Sequence, residues 1–168
     1  MKSLILLLFI PFLLLNQQEA HVIPGDYIEI DYIGQHYVKP LLIYKEKSEL
    51  EVIQQGLTKR FDSLKQIIPV QRLLTKEEKM REVTTLFDFV RTNKKTYRKI
   101  INFIQTRDHL FTSRIDYEGY EIKVNGKIYS IPYKSKDEFF EELKQYLTFQ
   151  NCDKLVIERI DVISKGPQ

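Results

Sequence analysis

The sequence predicts an α+β fold, an antiparallel sheet with a long helical hairpin and one further helix, in the order ββ-αα-βββ-α-β. Three observations carry it. Apolar residues alternate between Asp26 and Ile33. Apolar residues at 3-4 spacing fill the middle of the chain, and alternation returns around Asn125-Gly126. Strands at both ends with helices between them are the pattern of segregated α+β domains.

The first strand puts Ile28, Ile30 and Tyr32 on one face and Tyr27, Glu29 and Asp31 on the other. The second face reads as solvated. Gly34-Gln35 is a turn, and Tyr37 to Tyr44 reads as the partner strand, with Pro40 favouring an edge or a bulge. Helical spacing follows at Leu50, Ile53, Leu57, Leu64 and Ile67, with Ser48 as the expected cap. Gly56 costs about 1 kcal/mol there relative to Ala. Pro69 ends this helix at or before Ile68.

Thr75-Lys76-Glu77-Glu78 is a capping box and starts a second helix. Met80, Val83, Phe87, Val90, Lys94, Tyr97, Ile101 and Ile104 then keep a heptad seam, with one lysine at a core position. One continuous helix from 76 to 106, roughly 47 Å long, satisfies that spacing. So do two helices with a kink or turn at Thr92-Asn93, whose helix propensity is low. A short connector folds the helices into an antiparallel hairpin.

Leu110 to Tyr117 alternates weakly. Asn125-Gly126 fits a two-residue type I′ turn that pairs Val124 with Lys127, Ile122 with Tyr129 and Tyr120 with Ile131. Ser135-Lys136-Asp137-Glu138 reads as another capping box. The helix it opens carries Phe139, Phe140, Leu143, Tyr146 and Leu147 on its apolar side, and Asn151 or its neighbours stop it. Leu155 to Ile163 reads as a final strand.

The N-terminus has a different character. Met1-Lys2-Ser3 precedes an apolar run from Leu4 to Leu15 and a polar tail to Ala20, the layout of a secretory signal peptide. Residues 1–20 are therefore expected to be removed, which leaves 21–168 as one α+β domain outside the cytoplasm, periplasmic or extracellular. The apolar run spans roughly 18 Å as a helix, too short for a permanent membrane span.

The chain has 168 residues, 26 Lys+Arg and 23 Asp+Glu, and its net charge of +3 is too small to imply a nucleic-acid partner. One cysteine excludes an internal disulfide framework. Cys152 follows a helix C-terminus, where the dipole opposes thiolate formation, so it reads as a structural or intermolecular thiol. The three histidines, His21, His36 and His109, form no local metal pair, and no nucleophile elbow, phosphate loop or dinucleotide fingerprint is present. No catalytic, cofactor-binding or metal-ligating set is expected.

The charge is uneven. Arg91, Lys94, Lys95, Arg98 and Lys99 stand together with no acid between them. They form the candidate patch for an anionic surface or a partner protein. The expectation is an exported, non-enzymatic binding or protein-interaction module. Two alternatives remain open. One is a small exported hydrolase assembled from distant residues such as His36, His109 and acids of the sheet. The other is a homo-oligomeric structural protein built on the overhang of the long helix.

Overall fold

The computed structural model describes residues 25–65 and 75–167. The expected signal peptide, the connector between the first two helices and the Pro69 stop lie outside the described residues. The fold is α+β, with strands β1 (Tyr27–Ile33), β2 (Leu41–Tyr44), β3 (Asp88–Arg91), β4 (Gly119–Val124) and β5 (Lys127–Pro132). The helices are α1 (Lys47–Lys65), α2 (Lys76–Leu86), α3 (Lys94–Gln105), α4 (Lys136–Phe149) and α5 (Lys154–Ser164). The chain order is thus ββ-αα-β-α-ββ-αα.

The five strands form one sheet in the order β3-β2-β1-β4-β5. All pairings are antiparallel except β2 with β3, which run parallel from Leu41↔Asp88 to Tyr44↔Arg91. The sheet is therefore mixed, not antiparallel. A parallel pair needs a crossover, and the α1–α2 unit supplies it. The helical hairpin is thus packed as a connection between neighbouring strands.

Both faces of the sheet are covered where the helices lie. Ile28, Ile30, Leu41, Ile43 and Val90 pack with α3, α4 and α5. Leu42 and Tyr44 point the other way and pack with Ile53 and Leu57 of α1 and Val83 of α2. All four residues of β2 are consequently buried. Each fully buried Leu or Ile contributes about 1.5–3 kcal/mol relative to exposure.

The Asn125-Gly126 turn has the expected form. Both residues have positive φ, 50° and 78°, and the register is Val124↔Lys127, Ile122↔Tyr129 and Tyr120↔Ile131. The capping box at Thr75 also forms, with Thr75 accepting from the Glu78 N–H at 3.2 Å and Glu78 accepting from the Thr75 N–H at 2.9 Å. At the end of α4, Asn151 takes φ 51°, its N–H donates to the Thr148 carbonyl, and the Cys152 N–H donates to the Leu147 carbonyl, both at 3.0 Å. That pair of bonds is a Schellman stop with Asn in place of the usual Gly.

Five further expectations need correction. The heptad seam is not one helix: α2 ends at Leu86, Phe87 turns extended, and β3 intervenes before Asn93 caps α3. Val83, Val90, Tyr97 and Ile104 are all buried, but they belong to three elements. β-branched and aromatic residues at 87–90 gain strand hydrogen bonds from β2 that a helix would not give them. Lys94 is the first residue of α3, not a core position.

Second, Leu155–Ile163 is a helix. Val156, Ile160 and Ile163 are buried at helical spacing, whereas a strand would place Glu158 on the face of Val156 and Ile160. Third, Leu110–Tyr117 forms no strand. A 3₁₀ turn at Asp108–Leu110 is followed by a single bridge, Thr112↔Ser130. Fourth, two caps differ. Ser135 lies in a 3₁₀ turn and makes no side-chain cap. Ser48 is inside α1, and Glu49 instead accepts from the Lys45 and Glu46 N–H groups at 3.2 and 3.0 Å. The strand expected over 37–44 is confined to Leu41–Tyr44, directly after Pro40.

Candidate functional site

The C-terminal ends of β2 and β3 lie side by side, Tyr44 opposite Arg91. After β2 the chain enters α1, on the Leu42/Tyr44 face of the sheet. After β3 it enters α3, on the opposite face. Two neighbouring parallel strands whose connections leave to opposite faces open a crevice beyond their C-terminal ends, the usual ligand position in open α/β sheets. Of the five cations singled out in the sequence, Arg91 ends β3 and Lys94 opens α3 beside this crevice, and Lys95, Arg98 and Lys99 follow in the first two turns of α3.

The start of α3 is set by Asn93, whose side chain accepts from the Thr96 N–H at 2.8 Å. No acid stands in the first turn. The positive end of the helix dipole disfavours cations there by about 0.3–1 kcal/mol each, before screening. Little offsets it. Lys94 meets Glu46 across the crevice at 3.6 Å, both side chains largely exposed, and Lys95 Nζ donates to the Asn151 carbonyl at 3.5 Å. Arg91, Arg98 and Lys99 pair with no acid among the described residues. Arg91, Lys94, Lys95 and Arg98 are exposed, and Lys99 is half-buried.

Beside the crevice the charges are tightly paired. Lys45 Nζ binds Asp26 at 2.8 Å and Glu49 at 3.0 Å, which holds its ammonium well above the usual lysine range, the Asp26 bond first among the causes. The same ammonium lies 5.1 Å from the centre of the Tyr97 ring. Tyr97 Oη is buried and has no hydrogen-bond partner among the described residues. Burial, then the Asp26 charge, pushes its hydroxyl well up.

On the other side, α3 is locked to the α4–α5 turn. The Asp153 N–H donates to Thr96 Oγ1 at 2.9 Å, and Thr92 Oγ1 donates to Asp153 Oδ2 at 3.3 Å. The other carboxylate oxygen of Asp153 accepts from the Leu155 N–H at 3.1 Å and caps α5. Thr92 and Thr96 are buried polar residues, and these bonds satisfy them. The sequence marks Thr92 only by its low helix propensity and gives Thr96 and Asp153 no role. Asp153 two residues before an apolar run is the cap signal that was available.

A second polar cluster corrects the solvated-face reading of Glu29 and Asp31. Glu29 is 0% exposed. Its carboxylate meets Lys123 Nζ of β4 at 3.1 Å and Arg60 Nη1 of α1 at 3.4 Å. Lys123 also reaches Asp31 at 3.4 Å. Burial pushes the Asp31 carboxyl up, against the pull of Lys123. Tyr27, on the same face, is pushed up to about 12 by burial and then by the Glu29 charge. The carboxylates do not face solvent; Glu29 clamps α1 to the sheet.

His36 and His109 are exposed, and neither pairs with a described carboxylate. Cys152 is buried at the end of the Schellman turn. Among the described residues no three His, Cys, Asp or Glu side chains are grouped to hold a metal ion, and no helix is long and apolar enough to cross a membrane.

Compared with known proteins, the chain matches no family model, no curated protein and no solved structure.

Proposed function

We propose that the protein is an exported, non-enzymatic interaction module that receives an acidic surface of a partner protein at the β2/β3 crevice. One observation carries the reading. Arg91, Lys94, Lys95, Arg98 and Lys99 follow one another at the end of β3 and the start of α3, two of them in a first turn that disfavours cations, with Glu46 as the one described acid paired to the group. Helix stability does not account for Lys94 and Lys95, which stand in the first turn of α3 where a cation costs stability. A complementary anionic surface would relieve the repulsion and steer association. Export rests on the Met1–Ala20 pattern alone.

The test is charge reversal. Lys94→Glu, Lys95→Glu, Arg98→Glu and Lys99→Glu are made together, and binding to polyglutamate is measured at about 50 and about 300 mM salt. The reading expects wild-type binding to weaken with salt and the variant to lose at least about tenfold at the lower salt. Thermal unfolding should be little changed, because at least three of the four side chains are exposed. Equal binding by wild type and variant at low salt would remove the crevice from consideration.

A further inference from the structure

We propose that the outer groove between α4 and α5 is a second docking surface, built for a cationic amphipathic segment of a partner protein. None of the five cations near the β2/β3 crevice lines it. The groove is lined from α4 by Glu141, Lys144 and Phe149 and from α5 by Ile157, Glu158, Asp161 and Val162.

The outer stripe of a surface helix is normally polar. Here Phe149 is 82% exposed, Val162 64% and Leu155 47%. Leu155 and Val162 stand two turns apart on one stripe of α5, with Glu158 between them. The inner stripe of the same helix, Val156, Ile160 and Ile163, is already buried against the sheet. The apolar residues outside are therefore surplus to folding.

Charge selects the occupant. Lys144 is held by Asp161 at 2.8 Å and by Glu141, and Lys165 also binds Asp161, at 3.0 Å. Glu158 is left without a cation among the described residues. With Lys165 counted, three carboxylates stand against two ammoniums, and the charge left over is the exposed Glu158. A helix with an apolar face and flanking Lys or Arg suits the exposed apolar residues and that residual negative charge. Its apolar side covers Phe149 and Val162, its cations reach Glu158 and Glu141, and an arginine can lie on the Phe149 ring.

Fluorescence anisotropy tests this with three labelled probes: a Leu/Lys amphipathic helix, its Leu/Glu counterpart, and a peptide of the Leu/Lys composition ordered so that no apolar face forms. The Leu/Lys helix should bind wild type at least about tenfold more tightly than either control. Phe149→Ser with Val162→Ser should weaken it about tenfold, and Glu158→Lys about fivefold. The four-fold charge reversal at the crevice should leave this affinity within about twofold while abolishing polyglutamate binding, which separates the two surfaces. Equal binding of any control probe, or no binding of the Leu/Lys helix, overturns the proposal. So does a concentration-dependent dimer in light scattering that Phe149→Ser with Val162→Ser abolishes, since that outcome assigns the groove to a second copy.

Discussion

Lys94 and Glu46 face each other across the crevice at 3.6 Å, the first residue of α3 against the residue that precedes α1. Their side chains are 68% and 50% exposed, so the pair adds little stability. Its effect is on the potential of the crevice, because Glu46 is the acid that faces the basic group. Glu46→Gln is expected to raise affinity for polyglutamate about two- to threefold at low salt and to leave the melting temperature unchanged. Binding isotherms of the two proteins, with matched thermal scans, check both parts.

Asp153 joins two helix starts, capping α5 through its carboxylate and bonding Thr96 of α3 through its N–H. Asp153→Ala removes the cap and the bond from Thr92 but keeps the N–H. The expected loss is about 1–2 kcal/mol, read from denaturant unfolding. Asp153→Asn retains an acceptor and should recover most of it.

Glu29 is the buried anion of the sheet, shared by Arg60 and Lys123. Glu29→Ala leaves the partly exposed Arg60 without its anion and Lys123 with Asp31 alone, and should cost about 1–3 kcal/mol. Hydrogen exchange should show the loss first at α1, which Arg60 ties down. Protection lost uniformly across all elements would contradict a clamp on α1.

Asp31 behaves in the opposite sense. Burial raises its carboxyl pKa in the folded state above the unfolded value, so the folded protein favours the protonated form. That contribution is intact below the unfolded pKa, about 3.9, and is lost as pH rises through the folded value. Asp31→Asn removes the penalty present at neutral pH. The variant should be at least as stable as wild type at pH 7, and the two curves should converge in acid. Chemical unfolding across the pH range checks the sign.

Much of the local architecture was legible because its causes are local. Asn125 and Gly126 carry the turn chemistry and the register together, and Thr75 and Glu78 are three residues apart. The misread elements depended on distant partners. Phe89 and Val90 are a strand because β2 offers them a parallel edge, and nothing in residues 76–106 announces that edge. The β-branched run at 155–163 favours a strand by propensity, but the burial of Val156, Ile160 and Ile163 under a shared face makes it a helix. Glu29 looked solvated because the cations that neutralise it lie 31 and 94 positions away. The basic group itself was visible as composition. Its position was not, because the crevice exists only once β2 and β3 are parallel and α1 and α3 leave to opposite faces.

The most direct test of the crevice is an amide chemical-shift titration of the isotopically labelled protein with polyglutamate. The account predicts the largest shifts at Arg91 and Lys94 through Lys99, with Glu46 responding as its pairing with Lys94 is displaced. Shifts concentrated elsewhere, or spread evenly over the exposed lysines of the whole surface, would contradict it.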